Sequence, residues 1–76
     1  MDVQDNIGAR IPAYTDGLGR SVVISQRADS RLWGAFTIQP DGGSVRLLAI
    51  DFFENAACVR PSLAELAERK NWEPVG

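Results

Sequence analysis

The chain contains no histidine and only one cysteine, one lysine and one methionine. Histidine supplies most general bases, and combinations of histidine and cysteine form most structural zinc sites. The single cysteine, Cys58, cannot form a disulfide within the chain. We therefore predict a protein that is not an enzyme, that binds no metal or cofactor, and that folds without covalent cross-links.

Long apolar runs are also missing. No segment approaches the roughly 20 apolar residues that a membrane-spanning helix needs. Residues 1–6 have neither the basic region nor the apolar region of a secretion signal. We expect no membrane association and a cytoplasmic location, where a single thiol stays reduced.

Positive charge is not in excess. The 76 residues carry a formal net charge of −2, and Asp2 and Asp5 account for these two negative charges. The net charge of residues 10–76 is therefore zero, which is unfavourable for a protein that binds a phosphate backbone.

The length of the chain fits one small domain. We predict a flexible N-terminal tail over residues 1–9 and a single domain over residues 10–76.

Turn-forming residues punctuate the chain at residues 16–19, 28–30 and 40–43. The segments between them are rich in β-branched and aromatic residues, which favours strands at 20–27, 31–39 and 44–53, with a weaker candidate at 10–15. At the last turn, Asp41 is suited to accept a backbone hydrogen bond, and Gly42 or Gly43 to supply a positive φ. We predict an antiparallel meander of three to four strands, with residues 44–53 as its most buried strand because they do not alternate.

A helix is indicated only near the end of the sequence. Ser62 and Glu65 form a capping-box pattern after Pro61, and apolar residues follow at helical spacing. The pattern predicts a helix that ends near Asn71 and packs on one face of the sheet. The fold class is therefore α+β.

The predicted binding residues are arginines and tryptophans. Alternation along the strand at 31–39 places Trp33 opposite Leu32 and Phe36, on the sheet face that the helix leaves uncovered. Arginine and tryptophan are enriched at protein–protein hot spots, and arginines interleaved with aromatic residues also bind single-stranded nucleic acid. The predicted partner-binding set is Trp33, Arg31, Arg27, Arg46, Arg20 and Trp72.

Three further features have structural interpretations. Gly17 and Gly19 lack the third glycine, the lysine and the helix of a phosphate-binding loop, so a hairpin turn is favoured. Asp51 and Glu54 have no base or nucleophile near them in the sequence, which argues against catalysis. Cys58 lies among small apolar residues, so we predict a buried structural thiol.

Residues 32–42, Leu-Trp-Gly-Ala-Phe-Thr-Ile-Gln-Pro-Asp-Gly, resemble the Leu-Trp-Pro-Ala-Phe…Pro-x-Gly stretch of MbtH-like proteins. That family consists of small acidic βββα partners of nonribosomal peptide synthetase adenylation domains. Gly34 stands where the family has proline, and Gly43 where it has a second tryptophan. The resemblance implies an accessory role on a synthetase, which is kept as an alternative.

The main functional hypothesis is a small non-enzymatic module that binds, and thereby inhibits or modulates, a larger protein assembly. Accessory proteins of phages and mobile elements, including anti-CRISPR-like inhibitors of host defence, are often of this kind. The alternatives are a nucleic-acid-binding sheet that uses the arginines and Trp33, and a homodimer whose open faces or edge strands pair.

Overall fold

The computed structural model describes residues 7–75, which form one antiparallel sheet and one helix. The elements in chain order are β1 (Ile11–Thr15), β2 (Ser21–Gln26), β3 (Trp33–Ile38), β4 (Ser44–Arg46), α1 (Ala56–Lys70) and β5 (Glu73–Pro74). The strands lie in the order β4-β3-β2-β1-β5. The predicted α+β class and meander are confirmed, and the weaker candidate at residues 10–15 is the strand β1.

The hairpin turns have the predicted chemistry. Between β3 and β4, the backbone N–H of Gly43 donates to the Asp41 side chain at 3.0 Å, and Gly42 has a φ of 91°. Between β1 and β2, Gly19 has a φ of 82°, and the Asp16 side chain accepts from the N–H of Leu18. The glycine pair is therefore part of a hairpin turn, as predicted.

The main core lies between the sheet and α1. The side chains of Val59, Leu63 and Leu66 on the helix pack against β2 and β3, where Val22, Ile24 and Ala35 are almost completely buried. These sheet residues share one face because Ile24 pairs with Ala35 and Val22 pairs with Thr37. Ile50 completes this core from the segment before the helix.

The prediction for residues 44–53 is wrong. β4 ends at Arg46, is three residues long and lies at an edge of the sheet, so β2 and β3 are the buried central strands. The chain then turns, with the N–H of Ile50 donating to the carbonyl of Leu47 at 3.1 Å, and leaves Leu48 83% exposed. The pattern does not alternate because it contains a turn rather than a strand buried on both faces.

The helix begins seven residues earlier than the capping-box pattern predicts. Its N-cap is Asn55, whose side chain accepts from the N–H of Cys58 at 3.1 Å, so Pro61 and Ser62 lie inside the helix. Cys58 is consequently exposed, and the prediction of a buried thiol is wrong. In the first turn, Ala56 is half-buried against the core, Ala57 and Cys58 are exposed, and Val59 is the first buried residue of the helix.

The end of the helix is confirmed. Asn71 adopts the left-handed conformation with a φ of 58°, and the N–H of Trp72 donates to the carbonyl of Ala67 at 2.9 Å. This reversal directs the chain back along the sheet, where β5 pairs with β1 and Val75 donates to Ala13. β5 contains only two residues, too few to show a strand pattern, and was not predicted from the sequence.

The predicted N-terminal tail falls partly outside the described residues, because residues 1–6 are not among them. Gly8 donates its N–H to the carbonyl of Gln26 at 2.8 Å, and Ile7 forms a single antiparallel bridge with Arg27. Residues 7 and 8 thus continue the β1–β2 pairing. The flexibility of residues 1–9 stays a prediction.

Candidate functional site

The two tryptophans lie on the core side of the molecule. Trp33 pairs with Gln26 in the same alternation that carries Ile24, Ala35 and Thr37, and it packs against the core between sheet and helix. The prediction that Trp33 occupies the uncovered face is therefore wrong. Alternation separates the two faces of a strand, but it does not say which face receives the helix. Trp72 is also half-buried against this core.

The opposite face of the sheet is covered by Phe52. Phe36 is completely buried on that face, and the Phe52 ring lies 6.3 Å from the Phe36 ring at an angle of 40°. A Cβ atom at Gly34 would lie 2.6 Å from Cδ1 and Cε1 of Phe52. The ring can rest on β3 only because residue 34 has no side chain.

Two guanidinium groups lie over the Phe52 ring. The Cζ atom of Arg46, on the edge strand β4, is 4.2 Å from the ring centroid, and that of Arg27, just beyond β2, is 5.3 Å away. Both distances are within the range of a cation–π interaction. We call Arg27, Phe52 and Arg46 the arginine face.

The two cations of the arginine face differ in their partners. Arg27 forms an ion pair with Asp29 at 2.9 Å, but the side chains of this pair are 32% and 68% exposed. Such exposed pairs contribute little stability. Within residues 7–75, Arg46 has no carboxylate partner, and its buried Nε atom has no hydrogen-bond acceptor.

The other predicted arginines lie elsewhere. Arg20 precedes β2, at the opposite end of that strand from Arg27, and its Nε donates to Asp16 at 2.9 Å. Burial alone would raise the pKa of the Asp16 carboxyl, but hydrogen bonds from Arg20 and Leu18 outweigh it and hold that pKa below its usual value. Arg31 is exposed in the turn between β2 and β3, where it borders a cleft with Leu32 and Glu54.

The structure thus brings together two of the six predicted binding residues, Arg27 and Arg46, around Phe52, which was not among the predicted binding residues. Phe52 was assigned to a strand that does not exist at that position. The available signal was Gly34, because a glycine inside a strand often marks the close approach of another group.

Aromatic rings are not freely exposed in this protein. All six aromatic residues lie within the described part of the chain, and each of them is buried or half-buried. Tyr14, Trp33, Phe53 and Trp72 pack against the core, Phe36 is buried, and Phe52 carries the two guanidinium groups. Each of these rings therefore presents at most part of its surface to solvent.

Comparisons with known proteins add no family. No family model matches this chain, and neither a curated protein nor a solved structure shows significant similarity to it. Over residues 7–75, no three histidine, cysteine, aspartate or glutamate side chains come together as a metal site would require. In the same residues, no helix has both the length and the apolar character needed to cross a membrane.

Proposed function

We propose that the protein is a non-catalytic docking module that binds a larger protein through its arginine face. The observation that carries this proposal is the pair of guanidinium groups held over one ring on the sheet face opposite the helix. Arginine fixed by stacking loses less conformational freedom on binding than a free side chain does. Arg46 lacks a carboxylate partner in the described chain, whereas Arg27 has Asp29. We therefore expect Arg46 to contribute more to partner binding than Arg27 does.

The proposal favours a protein partner over nucleic acid for two reasons. Base recognition on an open sheet uses exposed aromatic rings, and here the rings are packed in the core or covered by guanidinium groups. The formal net charge of −2 also provides no bulk attraction to a phosphate backbone.

Nucleic acid remains the second candidate, because two arginines on one face are also suited to contact successive phosphates.

The proposed action is inhibition or modulation of the bound assembly by covering part of its surface. An anti-defence protein of a phage or mobile element, and an accessory partner of a peptide synthetase, are both forms of this action. The proposed setting is the cytoplasm, which fits a protein with one exposed thiol. The identity of the captured partner separates these forms.

The test is capture of a partner from a nuclease-treated lysate of the source organism or its host. The tagged wild-type chain is compared with Arg46→Glu and with Arg69→Glu, which makes the same charge change at an exposed position on α1. We expect one protein to be captured in stoichiometric amount by the wild type and by Arg69→Glu, and to be lost with Arg46→Glu. Thermal unfolding establishes that both variants are folded.

Equal capture by all three chains would contradict the proposal, and so would binding that disappears with nuclease treatment. Trp33→Ala is unsuited to this test because Trp33 packs against the core and its loss alters stability. Light scattering of the isolated chain distinguishes capture of a partner from capture of a second copy.

A further inference from the structure

The arginine face adjoins the edge of the sheet that β4 forms. β4 is the last strand on its side, and within residues 7–75 no strand pairs with its outer edge. The N–H of Gln39 donates to the carbonyl of Gly43, and the N–H of Leu47 donates to that of Ala35. Because hydrogen-bonded pairs alternate in an antiparallel ladder, the backbone N–H and C=O of Arg46 point away from β3 toward this edge.

Arg46 therefore offers two kinds of contact to a strand that binds along this edge. Its backbone groups face the edge, and its guanidinium lies over Phe52 on the arginine face. Its neighbour Val45 is 43% exposed and pairs with Thr37, so it lies on the other face of the sheet. A strand placed beside β4 would meet positive charge on one face and an apolar side chain on the other.

We propose that the partner binds as an extended acidic segment laid along β4, with carboxylates on alternate residues and apolar residues between them. Alternate side chains of an extended chain are about 6.6 Å apart. Arg46 lies on the edge strand itself, so a carboxylate of the segment can reach its guanidinium, and alternation keeps the other carboxylates on the same face as the arginine face. This inference rests on the proposed function and names the chemistry of its partner.

Charge complementarity favours this occupant over a second copy of the chain. Antiparallel pairing of two β4 edges about Val45 would place the two Arg46 side chains diagonally on one face, and like charges at such positions repel. An acidic segment instead supplies the carboxylate that Arg46 lacks within the described residues, and it competes only with the exposed Asp29 for Arg27. β4 provides few backbone bonds, so the arginines contribute most of the specificity.

The test uses an eight-residue fluorescein-labelled peptide in which glutamate alternates with valine or threonine. Its binding to the full chain is measured by fluorescence anisotropy. Matched peptides carry the same residues with the glutamates in one block, glutamine in place of glutamate, or N-methyl groups that block pairing with β4. We expect the alternating peptide to bind about tenfold more tightly than each of the three.

Arg46→Gln should weaken binding of the alternating peptide by about tenfold and Arg27→Gln by less, whereas Arg69→Gln should leave it unchanged. The N-methylated peptide tests edge pairing on the wild-type chain, so that this result does not depend on whether a variant folds. Equal loss in Arg69→Gln would indicate diffuse attraction and would overturn the proposal. Tighter binding of a 15-nucleotide oligothymidylate that displaces the peptide would overturn it in favour of nucleic acid.

The two proposals fail separately. If a protein is captured through Arg46 but the alternating peptide does not bind, the docking function stands and the acidic extended partner is wrong. If neither the lysate nor the peptide yields binding that depends on Arg46, the docking function is wrong as well.

Discussion

Gly34 is the residue on which the position of Phe52 depends. We expect Gly34→Ala to destabilise the protein by about 1–3 kcal/mol, because its Cβ would lie 2.6 Å from the Phe52 ring and the ring must move. The change should also separate the ring from the guanidinium groups of Arg27 and Arg46. Chemical denaturation of Gly34→Ala, Phe52→Ala and the double variant measures the coupling. A cost for Gly34→Ala that is the same with and without the Phe52 ring would contradict this account.

Asp16 organises the first hairpin turn through its charge. Its folded pKa is lowered, so its stabilising effect is present above the pKa of an unfolded aspartate, about 3.9, and is lost as pH falls through the folded value. We expect Asp16→Asn to be less stable than the wild type at pH 7 and the difference to shrink progressively below about pH 4. Thermal unfolding from pH 2 to pH 7 measures this. A difference that does not change with pH would show that the Asp16 charge is unimportant.

At the scale of elements, the helix start can be tested directly, because sequence and structure give different N-caps. Asn55→Ala should cost about 1 kcal/mol, since the Asn55 side chain accepts the N–H of Cys58. Ser62→Ala should have little effect, because Ser62 lies inside α1 and caps nothing. Urea denaturation of both variants measures the contrast. The opposite order of costs would place the helix start at the capping box.

The central strands and hairpin turns could be predicted because their signals are local. Asp41 with Gly42 determines a turn whatever the rest of the chain does, and alternation in β2 and β3 reflects their own two faces. The error at residues 44–53 has a physical cause: four consecutive apolar residues, Leu47 to Ile50, fit a buried strand as well as a turn that anchors Ile50 in the core.

The candidate site was harder to predict than the fold because it depends on contacts between distant segments. Arg27 and Arg46 were selected by residue type, but what joins them is Phe52, which lies 25 residues after Arg27 in the chain. Trp33 was placed on the wrong face because the sequence does not say where the helix packs. Only the tertiary structure decides that Trp33 contributes to the core and Phe52 to the surface.

At the scale of the whole molecule, both faces of the sheet are occupied in different ways. One face carries a helix and an apolar core, and the other carries one aromatic ring with two guanidinium groups over it. A small domain has little apolar surface to bury, and the second face adds burial of Val23 and Phe36 without a second helix. Under the proposed function, a partner would therefore bind a surface whose packing is already part of the fold.

The pairing of β5 with β1 has a consequence for the order of folding. The pairs β1–β2, β2–β3 and β3–β4 close short loops, whereas β1 and β5 lie at opposite ends of the described chain and meet only after α1 has reversed direction at Asn71. Pairing β1 with β5 closes the longest loop and therefore costs the most chain entropy, but it forms a pairing of only two residues. The amide hydrogen of Val75, which bonds to the carbonyl of Ala13, should therefore exchange with solvent through local opening of the β1–β5 pairing. The amide hydrogens at the centre of β2 and β3 should exchange only when the whole molecule unfolds.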